Sequence, residues 1–257
     1  MHQRLVGLVE PMGAEHRIAA GIRARLGDPD EMLFTGTHAE AGLINYTTPV
    51  ETQTGAWLTV SPLAFLVLRA EITGLDLWPI GMNGAGHYPV DGYDADVSSE
   101  NLPAEAGEHA SGWRVAVAGT LQGAIPLHPA FRILLFDELG GEHVALGDAR
   151  HYYSPRYDLV LGRNEWMLAN SALVLGEATF DDSALLRFGA YDDLRSVPRS
   201  GQLSNQVGGL VALTLGRVDP AVPELSFFIR AGVFTHHRSR AGLPTGLAGV
   251  QARYSIR

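Results

Sequence analysis

Apolar and polar residues alternate along most of this chain. In its last stretch, residues 250–256, apolar side chains occupy every second position, and Gln251, Arg253 and Ser255 occupy the positions between them. Successive side chains of a β-strand point to opposite faces, so this stretch predicts a strand with one apolar and one polar face. The same rhythm returns in segment after segment and predicts an all-β protein.

Fourteen segments alternate in this way or are short apolar runs between turn signals, and these are the predicted strands. Two are weaker than the rest, namely 4–9 and 142–150, the second following a turn predicted at Gly140-Gly141. Segment 15–26 also fits a helix, because its large apolar residues recur at every fourth position. The predicted strands are 4–9, 15–26, 37–46, 54–60, 64–74, 113–122, 131–139, 142–150, 157–162, 166–177, 183–191, 205–217, 224–235 and 250–256.

One long segment, residues 76–110, interrupts the pattern. It contains glycines, three prolines and seven acidic residues but no arginine. A structureless segment of this length is rare inside a compact soluble domain, whereas membrane β-barrels commonly carry long loops. Strands of the same style lie on both sides of it, so residues 1–257 are predicted to form a single barrel domain.

The amino-acid composition also favours a membrane β-barrel. Glycine accounts for 30 of the 257 residues, against about 7 per cent in ordinary proteins. The apolar residues are spread thinly over many alternating segments, and no apolar run approaches the roughly 18 residues of a membrane-spanning helix. If this chain lies in a membrane, it must do so as a closed barrel, because only helices and closed barrels satisfy their backbone hydrogen bonds in lipid.

The charged residues and the lack of cysteine limit the kinds of site and partner that the chain can have. All 19 basic residues are arginine, and the absence of cysteine excludes disulfides and thiolate metal sites. A net charge of -9 without a basic patch argues against a nucleic-acid partner. An arginine facing lipid near the bilayer midplane costs roughly 2–4 kcal/mol, so the arginines of the strands are predicted to face the barrel interior.

On this register, a set of charged residues shares the inner face. Arginines along a narrow path would favour anions, because fixed positive charge raises the local anion concentration. The alternative is that these arginines pair with inner carboxylates and fill the barrel. The predicted pore-lining residues are Arg23, Arg25, His38, Glu40, Arg69, Glu71, Arg114, Arg132, Glu138, Arg187, Arg230 and Arg253.

The acidic segment offers a second candidate site. Asp91, Asp94, Asp96 and Glu100 are predicted either to form a solvated surface loop, open to a protein partner, or to fold into the pore mouth as a constriction. Their spacing departs from the EF-hand pattern, so no metal site is predicted. Adjacent His236-His237 is predicted as plain loop, because neighbouring strand residues point to opposite faces. No cofactor is predicted.

The alternation, the turn spacing and the last strand resemble Gram-negative outer-membrane β-barrels over nearly the whole chain. The resemblance implies an even number of antiparallel strands, periplasmic termini and long outer loops. Placing the acidic segment outside requires an odd number of strands before it, which favours about fourteen strands, with twelve as the alternative. Two features depart from the class. No signal peptide is visible, which implies one removed or replaced, and Tyr254-x-Ile256-Arg257 stands where these barrels usually end in an aromatic residue.

The resemblance also implies a function. It predicts an outer-membrane protein in contact with the bilayer and lipopolysaccharide, forming a porin-like channel for passive diffusion of small polar or anionic solutes. The alternatives are a closed barrel that acts as a structural or interaction module, and a soluble all-β protein. Some barrels of this class are serine hydrolases with a His-x-Ser-Asn motif, but segment Gln202-Leu203-Ser204-Asn205 lacks the histidine that would accept the serine proton. The chain is therefore predicted not to be an enzyme.

Overall fold

Fifteen β-strands account for most of the chain in the computed structural model. The structure describes residues 2–8, 13–28, 30–31, 33, 35–80, 86–97, 101–103, 106–154, 156–180, 183–219 and 222–253, and residues 2–8, 13–14, 217–219, 222–223 and 253 by their backbone alone. The strands are β1 (His2–Leu8), β2 (Gly13–Arg25), β3 (His38–Thr47), β4 (Glu51–Leu63), β5 (Leu66–Leu77), β6 (Tyr88–Pro89), β7 (Ala110–His128), β8 (Phe131–Leu146), β9 (His151–Ser154), β10 (Leu159–Gly162), β11 (Asn164–Thr179), β12 (Ala184–Val197), β13 (Gln202–Asp219), β14 (Val222–His236) and β15 (Pro244–Arg253).

Twelve of these strands form a closed antiparallel barrel, in which each strand pairs with the barrel strands before and after it. The barrel closes where β1 pairs with β15, from His2 opposite Arg253 to Leu8 opposite Leu247. The three short strands form a separate sheet in the order β10-β9-β6. The architecture is therefore an up-and-down barrel with a small additional sheet.

The predicted fold class is confirmed, and the strand count is the alternative of twelve rather than fourteen. Residues 4–8 of segment 4–9 belong to β1, and its residue 9 lies outside the described residues. Residues 15–25 of segment 15–26 are strand, not helix. Segment 142–150 is not a separate strand, because β8 continues through Gly140-Gly141, which pair with Ala118 and Val117 of β7 instead of turning. Segment 157–162 contains β10, which lies in the small sheet and not in the barrel wall.

The outer wall of the barrel is apolar. Leu68 and Ile72 of β5, and Phe227 and Ile229 of β14, are large, exposed and two or four residues apart, and Ile22 of β2 is 83% exposed. Large exposed apolar residues also lie on β3, β4, β7, β8 and β11–β13, and an apolar surface of this extent suits a lipid bilayer and not water. The described chain has no helix long and apolar enough to span a membrane.

The two ends of the barrel carry connections of different length. At one end, the strands are joined by turns such as 64–65 and 129–130, with the longer connection 26–37 between β2 and β3. The other end carries the β5–β7 connection, residues 78–109, and the β8–β11 connection, residues 147–163. We call these the turn end and the long-loop end.

The two longest connections fold back into the barrel and pack together at its long-loop end. Tyr152 and Leu161 have no exposed surface, and they pack in one apolar cluster with barrel residues such as Leu75 and Val144. A second cluster joins the two connections to each other through Tyr88, Val97, Leu102, Tyr153 and Val160. We call residues 86–97 and 147–163 the plug. The acidic segment is therefore not structureless, since part of it belongs to this folded unit.

Candidate functional site

The inner face of the barrel carries the charged residues that the alternation groups together. On β5, the exposed Leu68 and Ile72 face outward, and Arg69 and Glu71 occupy the positions between them and face inward. The other predicted pore-lining residues have the same inward parity, and the side chain of Arg253 lies outside the described residues. That they line an open path stays a prediction.

Glu71 is the centre of a group of ion pairs inside the barrel. It is 6% exposed, and its carboxylate accepts hydrogen bonds from Arg114 Nη1 at 3.0 Å and from the Tyr46 hydroxyl at 2.9 Å. The same carboxylate is paired with Arg69 and lies 3.7 Å from Arg17 Nη2. Several cations therefore share one buried anion.

The plug reaches this group through Arg156. Its Nη1 atom lies 3.2 Å from Glu15 Oε2 and 3.1 Å from Glu51 Oε1, on β2 and β4 of the barrel wall. Burial works to lower the pKa of Arg156, but the two carboxylates raise it above its ordinary value, so the guanidinium stays charged. The plug is thus tied to the wall by a charged contact.

Tyr157, next to Arg156, forms a second link between the plug and the barrel wall. Its hydroxyl donates to Glu142 Oε2 at 2.8 Å, and the same oxygen accepts from Arg114 Nε at 2.6 Å. Together with the residues around Glu71 and Arg156, these side chains form one ion-pair group with four arginines and four glutamates. Its positive and negative charges are equal in number, so this part of the lumen is filled by side chains whose charges cancel. The members of this ion-pair group are Arg17, Arg69, Arg114, Arg156, Glu15, Glu51, Glu71 and Glu142.

Another part of the wall, on β8, β11 and β12, has more arginines than carboxylates. Glu177 is 1% exposed and is paired with Arg132 and with Arg187, whose Nε atom lies 2.7 Å away. The side chains of these two arginines are 51% and 40% exposed, so solvent reaches them inside the barrel. One pair further along, between Arg230 and Asp193, is balanced.

The turn end of the lumen is open to solvent. Arg23 and Arg25 are exposed there, with Arg23 Nη2 2.9 Å from His38 Nδ1 and opposite Glu40 in the register of β2 and β3. Glu138 of β8 is also exposed. Charged, hydrated side chains therefore line the barrel from this end.

At the long-loop end, the plug contacts the wall on several sides. Gln202 of β13 donates from Nε2 to the Val160 carbonyl oxygen at 2.7 Å. His237, which follows β14, is 5% exposed and lies 2.7 Å from the Asp158 carbonyl oxygen through Nε2. Together with the ion pairs of Arg156 to Glu15 on β2 and Glu51 on β4, these contacts hold the plug across the long-loop end. His237 is thus a plug anchor, although its sequence context predicts plain loop.

The segment nearest to a hydrolase motif does not form a catalytic pair. The Gln202 amide is occupied by its hydrogen bonds to Val160, and Ser204 is buried. In the part of the chain that the structure describes, no histidine lies within hydrogen-bond distance of the Ser204 hydroxyl. The chain's lack of enzyme activity remains a prediction.

The described acidic residues of the β5–β7 connection lie at the protein surface and not in the apolar plug core. Asp91, Asp94 and Asp96 are exposed, and Glu100 lies outside the described residues. Among the described residues, no three side chains of the types that bind metals come together. The carboxylates are placed as a surface feature, and whether they constrict a path or bind a partner stays a prediction.

A cavity of about 380 Å³ at the long-loop end has no signal in the sequence pattern. Three arginines border it, two from the β8–β11 connection and one from the turn between β12 and β13. Each lies in a turn or at a strand end, where alternation carries no information. Only the fold brings them together. The lining residues are Tyr93, Asp148, Arg150, His151, Gly162, Arg163, Asn164 and Arg199.

Comparison with known proteins yields a fold and not a family. No family model matches the chain, and no curated protein sequence matches it. Among solved structures, LpxR from Salmonella typhimurium is similar over 99% of this chain and 100% of its own, with 9% identity and a TM-score of 0.52. The KdgM porin matches over 100% of both chains with 9% identity and a TM-score of 0.40.

OmpT of Vibrio cholerae matches over 98% of this chain and 94% of its own, with 6% identity and a TM-score of 0.36. At such identities, the likeness to LpxR shows the fold alone. The chain therefore has the fold of the outer-membrane β-barrel proteins, which confirms the predicted class and agrees with an outer-membrane location.

Proposed function

We propose that this chain is a porin-like outer-membrane channel for small polar or anionic solutes, and that the plug holds its outer mouth closed. The observation that carries the proposal is the hydrated, charged lumen of the turn end, where Arg132 and Arg187 are about half exposed inside the barrel. Long loops of these barrels face the outside, so the turn end faces the periplasm.

An excess of arginine supports a preference for anions. Glu177 is shared between two arginines, and Arg25 is exposed at the turn end. Fixed positive charge in a narrow space with low-dielectric walls attracts anions and repels cations. The ion-pair group around Glu71 contributes little to the electrostatic field of the lumen, because its positive and negative charges cancel.

The contacts of the plug support the proposal that the outer mouth is closed. An apolar cluster and hydrogen bonds to β13 and to His237 hold it at the long-loop end. A path for solutes therefore requires that the plug move, and shortening it should open the barrel. A suitable variant replaces residues 150–162 by a four-residue Gly-Ser turn and is accepted only if its migration on a detergent gel remains heat-modifiable.

Ion selectivity of this shortened variant tests the arginine-lined path. Under a KCl gradient across a planar bilayer, we expect a reversal potential that favours chloride. Replacing both Arg132 and Arg187 by Gln in the same background should move the reversal potential toward the cation side. Arg238→Gln removes an exposed arginine outside the lumen and serves as the control. Equal reversal potentials in the double and control variants would contradict the proposed path.

A second candidate function is a closed barrel that acts as an interaction module. The balanced ion-pair group favours it, because a lumen filled by compensated charge needs no solute. In that case the working surface is the exposed acidic edge with Asp91, Asp94 and Asp96, and the partner is a basic protein. A shortened variant that folds and still does not conduct would favour this candidate over the channel.

A further inference from the structure

A basic cleft lies on the outer side of the plug, at the cavity of about 380 Å³ described above. Arg150 and Arg163 are adjacent there, because His151 opposite Gly162 is the last pair of β9 and β10 and the Arg163 N–H donates to the Arg150 carbonyl oxygen at 3.1 Å. Arg199 comes from the turn between β12 and β13. Three guanidinium groups from two connections thus border one cavity.

The carboxylates at the cleft do not balance these charges. Asp148 is the acidic residue among the lining residues, and its side chain is 94% exposed and bonded to Arg163 at 2.6 Å. Glu165 lies beneath the cleft but is 3% exposed and turned toward Tyr93 and the Gly162 N–H. Within the described chain, Arg150 and Arg199 form no ion pair.

This imbalance distinguishes the cleft from the ion-pair group inside the barrel, where each guanidinium has a carboxylate partner. Like charges held close together repel each other, and an anion between them removes the repulsion. Guanidinium groups are suited to this, because their fork of N–H donors matches the oxygens of phosphate and carboxylate. The cleft is therefore complementary to an anion although the whole protein carries a charge of -9.

The rest of the lining suits a sugar. Tyr93 and His151 lie edge to face with ring centroids 4.5 Å apart, and Asn164 and Asp148 supply groups that bond hydroxyls. Burial and the hydrogen bond to Glu165 raise the pKa of Tyr93 to about 12, so this side chain adds no negative charge at neutral pH. The volume exceeds that of a phosphate ion and lies at the lower end of the roughly 300–1,000 Å³ of small-molecule sites.

We propose that this cleft binds a phosphorylated saccharide, with the phosphate held by Arg150, Arg163 and Arg199. Two sources offer this chemistry at the outer mouth, namely a free sugar phosphate and the phosphorylated saccharide of lipopolysaccharide. The site does not depend on conduction through the barrel, so it stands or falls separately from the proposed channel.

Isothermal titration calorimetry of the purified full chain in detergent tests the site. We expect glucose 1-phosphate to bind once per chain and glucose not to bind. The double variant Arg150→Gln, Arg199→Gln should weaken binding at least about tenfold, since each lost charge-assisted hydrogen bond is worth about that factor. Heat-modifiable migration verifies that the variant is folded.

A matched pair of variants separates the cleft from net charge. Asp148→Asn removes the carboxylate of the cleft and should tighten binding about twofold to threefold, as expected for an exposed ion pair. Asp30→Asn removes an exposed carboxylate at the turn end and should leave the affinity unchanged. Equal effects of the two variants would mean that net charge and not the cleft attracts the anion, and would overturn the proposal.

Lipopolysaccharide provides the second arm. Binding of intact lipopolysaccharide, its loss after phosphatase treatment and competition by glucose 1-phosphate would assign the site to the lipid. Binding of glucose 1-phosphate without binding of lipopolysaccharide would assign it to a free solute, and both results support the site. The proposal is overturned if neither ligand binds, or if the double arginine variant binds as tightly as the parent chain.

Discussion

Glu71 shows what a single residue does in the interior of this barrel. Its carboxylate is buried and is shared by Arg114, Arg69 and Arg17. A buried ion pair adds little net stability compared with apolar packing, but removing one partner leaves the other charge without compensation. The group therefore makes the wall intolerant of single substitutions.

We expect Glu71→Gln to destabilise the folded barrel by about 3–5 kcal/mol, because it leaves the buried Arg114 with too little negative charge. The measurement is the urea concentration at which heat-modifiable migration is lost. Glu138→Gln is the matched control, since Glu138 is exposed and its hydrogen bond is to Thr120 at 2.8 Å, and it should change stability by less than about 1 kcal/mol. Equal midpoints for the two variants would contradict a structural role for the group.

At the residue scale, the sequence predicts the facing of side chains but not their partners. Period-two alternation is enough to place Glu71 and Arg114 inside, because a strand leaves only two choices. Their contact joins positions 43 residues apart, and the register between β5 and β7, which are linked by the long connection 78–109, decides it. The basic cleft could not be predicted either, because Arg150 and Arg199 lie outside the strands, where alternation does not indicate which way a side chain points.

Among the elements, β8 and the plug show where the pattern misleads. Gly140-Gly141 predicts a turn, yet the pair continues β8, and a Cβ atom at Gly140 would lie only 3.0 Å from the Val117 carbonyl oxygen. Glycine there allows close approach of the backbones and not reversal of the chain. Segment 157–162 has the apolar character of a barrel strand, because a short buried strand of the plug and one of the wall read alike.

We expect His87 to make docking of the plug sensitive to pH. It is 2% exposed, its ring lies 4.9 Å from the Tyr152 ring, and neither ring nitrogen has a hydrogen-bond partner among the described residues. Burial lowers the pKa of His87, and the charge of Glu108 opposes this only in part. Below the ordinary value of about 6.5, an undocked plug binds a proton that the docked plug does not, so docking weakens as pH falls.

We therefore expect hydrogen exchange in residues 147–163 to be faster at pH 5 than at pH 7.5, after correction for the intrinsic exchange rate. His87→Phe fills the same space without a titrating group and should remove the difference. His109→Gln changes a 65% exposed histidine of the same connection and should leave it in place. If the parent chain shows the same protection at both pH values, His87 does not control docking.

For the whole molecule, the sequence was sufficient to predict a closed barrel but not the plug at its long-loop end. Alternation, the many glycines and the absence of a long apolar run follow from the physics of strands in lipid, so the class could be predicted from them. The plug could not, because its packing depends on contacts between two connections and the interior of the wall, such as Arg156 with Glu15 and Glu51.

Single-channel recording in planar bilayers is the most direct test of this account. The parent chain should stay closed, whereas the variant with residues 150–162 replaced by a short Gly-Ser turn should give discrete openings. Both proteins must show heat-modifiable migration, so that a missing current is not a folding failure. Steady openings of the parent chain equal to those of the variant, or a folded variant without openings, would contradict a channel closed by its plug.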